Sequence, residues 1–140
     1  NLQSRSVKLI NVPDVMQATD YTCGPSSLSA VLNYYQLIYR ESELAKLAKP
    51  HNNMVLAREI SQMQFSIKYH SRVARKYDPY RFIKLTIAGR PVIVEIQAWS
   101  DDEDPKYDTD FDDGHYVVAI GFDFTYFYFE DPWILGSIGY

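Results

Sequence analysis

The chain has a single cysteine, Cys23, among its 140 residues. That excludes an internal disulfide and a cysteine-rich zinc site. No run approaches the ~20 apolar residues that a membrane-crossing helix needs; even Thr86 to Trp99 is interrupted by Arg90, Glu95 and Gln97. Basic residues are scattered, and their nearest approach to a cluster, Arg72, Arg75, Lys76 and Arg81, is too short for a nucleic-acid surface. Of three histidines, His51 and His70 have no partner at ligand spacing, which disfavours a zinc hydrolase. There is no Gly-rich phosphate loop followed by Lys and Ser or Thr.

Apolar residues, by contrast, make up 46% of the sequence, and aromatics 15%, with 12 Tyr and 7 Phe. This composition builds a core, and 16.3 kDa suits a single domain over residues 1–140. The net charge of −4 is unevenly spread. Asp101, Asp102, Glu103, Asp104, Asp108, Asp110, Asp112 and Asp113 against Lys106 give segment 101–113 a charge of −7, leaving +3 elsewhere.

Residues 1–22 read as an extended lead-in broken by Pro13. Gly24 and Pro25 then open a helix in which Leu28, Val31, Leu32 and Tyr35 recur at helical spacing, with Pro suited to the first turn. Cys23 is thereby placed at a helix N-terminus. Further helices are expected at Ser42 to Ala48, with Leu44, Leu47 and Ala48 buried, and at Met54 to Met63. A fourth starts at Asp78–Pro79 and ends at Gly89, a suitable C-cap. Gln64 to Tyr69 alternates as a short strand. Pro91 to Ala98, Tyr116 to Ile120 and Phe124 to Phe129 follow as strands, the last two joined by a turn at Gly121 to Asp123. Helices first and a small antiparallel sheet second make an α+β pattern.

Four polar residues fall together on this layout. A thiol acts as a nucleophile only as thiolate, which the positive end of a helix and a nearby imidazolium both favour. His115, at the start of a strand, can supply the imidazolium and return the proton to a leaving amine. Asp131 lies just beyond the next strand, so a hairpin brings it to the same sheet edge as His115, where it can orient the ring. Gln17 has an amide that can donate to a developing oxyanion beside backbone N–H groups at the Cys23 helix start. Taken singly, each has a plain structural role: a buried small residue, a loop histidine, a turn aspartate before Pro132, and an uninformative glutamine.

The blocks QATDYTCGPSSL from Gln17, DDGHYVVAIGFD from Asp112 and YFEDPW from Tyr128 resemble peptidase family C39 and its stand-alone C39-like relatives, bacterial cysteine peptidases of papain-like fold. ESELAKLA from Glu41 and GRPVIVEIQAW from Gly89 are similar to the family's second helix and central strand, so the resemblance spans roughly residues 10–135. It implies Cys23 as nucleophile, His115 as general base, Asp131 as the residue orienting it and Gln17 as the oxyanion glutamine. It also implies a peptide or protein substrate and no cofactor or metal. In well-known members the domain precedes an export transporter and cuts leader peptides after a double glycine. Relatives commonly continue past the DP segment, and the native extent beyond Asn1 or Tyr140 is left open.

The acidic segment 101–113 precedes His115, where it could favour a basic peptide or bind calcium; a solvated loop is the plainer reading. Tyr21, Tyr116 and Trp99 are candidates for aromatic lining of the cleft. Another thiol acyl-transfer enzyme, an amidase or transpeptidase, would keep the same residues, and a non-catalytic peptide-binding domain would keep the fold. Cleavage motif, oligomeric state and a secreted, periplasmic or membrane-associated address stay open.

Overall fold

A computed structural model describes residues 8–48, 79–98 and 114–134. The expected helix at Met54 to Met63, the strand at Gln64 to Tyr69, His51, His70, Trp99, the basic residues Arg72, Arg75 and Lys76, and the acidic segment lie outside them. The elements in chain order are α1 (Cys23–Tyr34), α2 (Glu41–Ala48), α3 (Pro79–Ile87), β1 (Val92–Gln97), β2 (Gly114–Phe122) and β3 (Phe127–Glu130). The three strands form one antiparallel sheet in the order β1-β2-β3, and α1 and α3 both pack on β2. This is the expected α+β architecture of N-terminal helices against a small antiparallel sheet.

Helix α1 is a core helix rather than an amphipathic one. Every residue from Cys23 to Leu32 is buried. Leu28 and Leu32 join Leu44 of α2 and Tyr116 of β2, while Ala30 and Val31 join Ile10, Val12, Val118 and Ile120. Between these clusters stand Ser26, Ser27 and Ser29, whose small side chains let backbones approach. Ser27 Oγ donates to the Tyr116 carbonyl at 3.0 Å and Ser29 Oγ to the Tyr39 carbonyl at 2.7 Å, whereas Ser26 Oγ is buried with no partner among the described residues. The helix stops in a Schellman motif, with Gln36 N–H on Asn33 O and Leu37 N–H on Leu32 O. Gln36 takes the left-handed conformation at φ 64°, a position that glycine would fill at less cost.

Helix α2 begins one residue earlier than expected because Glu43 reaches back to accept from the Arg40 N–H at 2.9 Å, half of a capping box. Leu44 is fully buried, but Leu47 is 46% exposed, so the predicted buried side narrows. Helix α3 ends in the same motif as α1, here with Gly89 at φ 70°.

Strand β2 is longer than the apolar run Tyr116–Ile120, and His115 is its second residue, paired with Ile96 of β1. All of His115 to Gly121 is buried, which accounts for the nearly unbroken hydrophobicity of the run. Phe124 belongs to the turn and not to β3. The Asp123 carboxylate accepts from the N–H groups of Thr125 and Tyr126 at 2.6 and 2.7 Å, an Asx turn that leaves Phe124 on the surface.

Candidate active site

A short turn places Gln17 beside the start of α1. Thr22 N–H and Thr22 Oγ1 both donate to the Thr19 carbonyl, at 3.2 and 3.1 Å, and Thr19 N–H donates back to Thr22 Oγ1 at 3.1 Å. The Gln17 amide donates to the same Thr19 carbonyl at 2.8 Å. The six-residue gap between Gln17 and Cys23 is thus folded on itself. Gln17 Oε1 is buried without a hydrogen-bond partner among the described residues, an arrangement that costs stability by roughly 1–3 kcal/mol. Core packing therefore does not explain a glutamine at this position.

Cys23 is the first residue of α1, and no side chain caps that helix; Thr22 takes φ −100° and ψ 18° and bonds back to Thr19 instead. The N–H groups of the first turn are left to point along the helix axis, where partial positive charge accumulates. Only 7% of Cys23 is exposed.

His115 is brought to Cys23 by β2 and to Asp131 by the hairpin. Its Nε2 meets Asp131 Oδ1 at 2.7 Å, and Cys23 is near enough to the ring to act on its pKa. With Nε2 on Asp131, Nδ1 is the nitrogen left for the thiol. Burial alone would hold the imidazole neutral, but the hydrogen bonds and charges of Asp131 and Cys23 outweigh it and raise the pKa from 6.5 to about 9. The ring is therefore an imidazolium at neutral pH. Asp131 responds in the opposite sense: burial pushes its carboxyl up, and the bonds from His115 and from the Trp133 N–H, at 2.9 Å to the same Oδ1, bring it below the usual range.

Asp131 comes within reach of His115 through the β2–β3 register. Val118 pairs with Glu130, Ala119 with Phe129 and Gly121 with Tyr128, with an irregularity between Ala119 and Gly121. Leu9 of the lead-in crosses over Gly121, where a Cβ would lie 2.6 Å from the tip of the Leu9 side chain at Cδ2. The lead-in is tied to the strand exit by Gln17 N–H, which donates to the Pro132 carbonyl at 2.8 Å.

Gln17, Asp20, Gly114, His115 and Trp133 line a cleft of about 260 Å³. Of the four sequence-predicted residues, Gln17 and His115 line this cleft, and Asp131 and Cys23 are joined to them through the His115 ring. The aromatic lining differs from expectation: Tyr116 is buried in the core beside Cys23, whereas Trp133 stands on the cleft wall at 48% exposure. Its position two residues after Asp131 was the available signal. Glu130, a carboxyl only 3% exposed, also escaped the sequence reading. Among the described residues no group of His, Cys, Asp or Glu is placed to hold a metal ion, and no helix is long and apolar enough to cross a membrane.

The fold recurs in known proteins. The peptidase domain of Streptococcus ComA, a bi-functional ABC transporter involved in a quorum-sensing pathway, superimposes with a TM-score of 0.66 at 21% identity, covering 89% of this chain and 78% of that one. A protein from Bacillus anthracis assigned as a C39-like peptidase gives 0.70 at 19% identity, covering 91% and 83%. No curated protein sequence matches. The model of the Peptidase_C39 like family matches residues 9–138, nearly the whole sequence, and the chain belongs to that family.

Proposed function

We propose that this domain is a cysteine peptidase that hydrolyses peptide bonds in a leader or other extended peptide. One observation carries the reading: a single buried imidazole meets a thiol at a helix N-terminus and a carboxylate on its other nitrogen. That geometry suits acyl transfer, because it sets a base beside the nucleophile and keeps a proton ready for the leaving group.

In the proposed reaction an extended backbone lies in the cleft between Trp133 and Asp20. Cys23 Sγ bonds to the scissile carbonyl carbon. The oxyanion is stabilised by the Cys23 N–H and by the Gln17 amide hydrogen that Thr19 does not hold. As the C–N bond breaks, His115 gives its proton to the amine. Water then attacks the thioester, losing its proton to His115, and the carboxylate product leaves with the thiol restored. Asp131 holds the ring with Nδ1 toward the thiol throughout and stabilises its positive charge.

The test is incubation of wild type and Cys23→Ser with a diverse peptide mixture, read by mass spectrometry. New termini that appear only with wild type, each carrying one added water, are expected. Products of amine exchange in place of hydrolysis would assign a transpeptidase. A wild-type protein that binds peptides yet yields no new termini across a broad pool would count for a binding domain.

A further inference from the structure

The chemistry above does not use Glu130, although it is the residue before Asp131 and one of the most deeply buried charged side chains described, at 3% exposure. Its Oε1 accepts the Val15 N–H at 3.3 Å, and its Oε2 is shut off from solvent. Two residues further along both segments, Gln17 N–H donates to the Pro132 carbonyl at 2.8 Å. These two bonds form a short ladder whose rungs fall on either side of Asp131. One rail carries Gln17 and the other carries Asp131.

We propose that Glu130 is a positioning residue that fixes the Gln17 segment in register with the Asp131 segment, and that loss of its proton loosens this register and lowers the rate of peptide cleavage. The effect on rate rests on the peptidase reading; the effect on register does not.

The charges around Glu130 explain why its proton matters. Asp14 comes within hydrogen-bonding reach from the lead-in side, and Asp131 adds a second negative charge from the strand exit. Burial first, then these two carboxyls, work against ionisation, and only the Val15 N–H favours it; the pKa rises from 4.5 to about 8. Near neutrality Glu130 is a neutral acid that can donate to Asp14 while accepting from Val15. Above pH 8 it becomes a third carboxylate in a site that already has two, and repulsion acts across the rails that hold Gln17 and Asp131 together.

Glu130→Gln separates shape from charge, since the amide keeps an acceptor for Val15 and cannot ionise. The wild-type kcat/KM profile is expected to fall on the alkaline side near pH 8. In Glu130→Gln that limb should move up toward about 9, where His115 loses its proton, with activity at pH 6.5 within about twofold of wild type. Glu130→Ala should lose at least tenfold at every pH, which Gln restores. An alkaline limb unmoved by Gln, or full activity in the Ala variant, overturns the assignment. A second readout needs no turnover: in a ¹⁵N titration the Val15 and Gln17 amide signals should shift with a midpoint near pH 8 in wild type and stay flat in Glu130→Gln. Flat signals in wild type would refute the register change even in an active enzyme. Titrating signals in a protein that cleaves nothing would uphold it and sink the peptidase reading instead.

Discussion

Replacing Asp131 by Asn removes a charge and little else, because the amide oxygen can still accept from His115 Nε2 and from the Trp133 N–H. The size of the effect follows from His115. Its pKa in the folded protein is raised from 6.5 to about 9, and at 1.36 kcal/mol per unit this corresponds to roughly 3 kcal/mol. The sign follows from linkage. A group with a raised folded pKa contributes its full stabilisation below its unfolded value, here 6.5, and loses it as pH rises through about 9. Cys23 supplies part of the shift and survives the substitution, so about 3 kcal/mol is a ceiling. The stability gap between the two proteins should therefore be largest near pH 6.5 and shrink by up to that amount at pH 9.5. Urea denaturation followed by tryptophan fluorescence at pH 6.5, 7.5 and 9.5 measures it. Working in a Glu130→Gln background removes the titration of Glu130 from the same window. A gap constant to within about 0.5 kcal/mol from pH 6.5 to 9.5 would show that the imidazole carries no charge for Asp131 to stabilise.

Iodoacetamide should alkylate Cys23 at pH 6 about tenfold faster in wild type than in His115→Ala; equal rates would mean that the imidazole does not act on the sulfur. Gln17→Ala should lower kcat by about 10²-fold with KM little changed, as expected for a donor used mainly in the transition state. A rise in KM alone would assign Gln17 to substrate binding. Gly89→Ala should cost about 1 kcal/mol in thermal melts, because the left-handed backbone disfavours a Cβ even though the nearest atom, Tyr34 Oη, is 3.9 Å away. Gln36→Gly should gain a few tenths of a kcal/mol by the converse argument, and a loss there would show that the Gln36 side chain contributes more than its backbone strain costs.

Much of this fold was legible because it is written in local signals. Pro25 after Cys23, Leu28 with Leu32 at helical spacing, and Gly89 after Ile87 each specify a helix boundary or a buried stripe through contacts within a few residues. The hairpin was legible from the apolar run in β2 and from Asp131 lying just past β3. What escaped depends on long-range contacts. Tyr116 reads as a cleft aromatic from its neighbour His115, but α1 packs over it and draws it into the core. Phe124 reads as strand by propensity, yet the Asp123 carboxylate captures the following N–H groups. The burial of Glu130 is set by a segment 115 positions away, and the only local hint is alternation in β3, which puts it on the same face as the half-buried Tyr128.

Ser27 lies one turn along α1 from Cys23 and bonds to the carbonyl of Tyr116, the residue after His115. The sulfur and the imidazole therefore belong to two layers joined by a hydroxyl strut close to both. Any agent that prises the layers apart by an ångström, whether mild heat, pressure or a truncated Ser27→Ala, should part the reacting pair while helix and strand content stay intact. Nucleophilicity in such a protein would fade before its circular dichroism does, making alkylation of the sulfur an early gauge of the seam coming open.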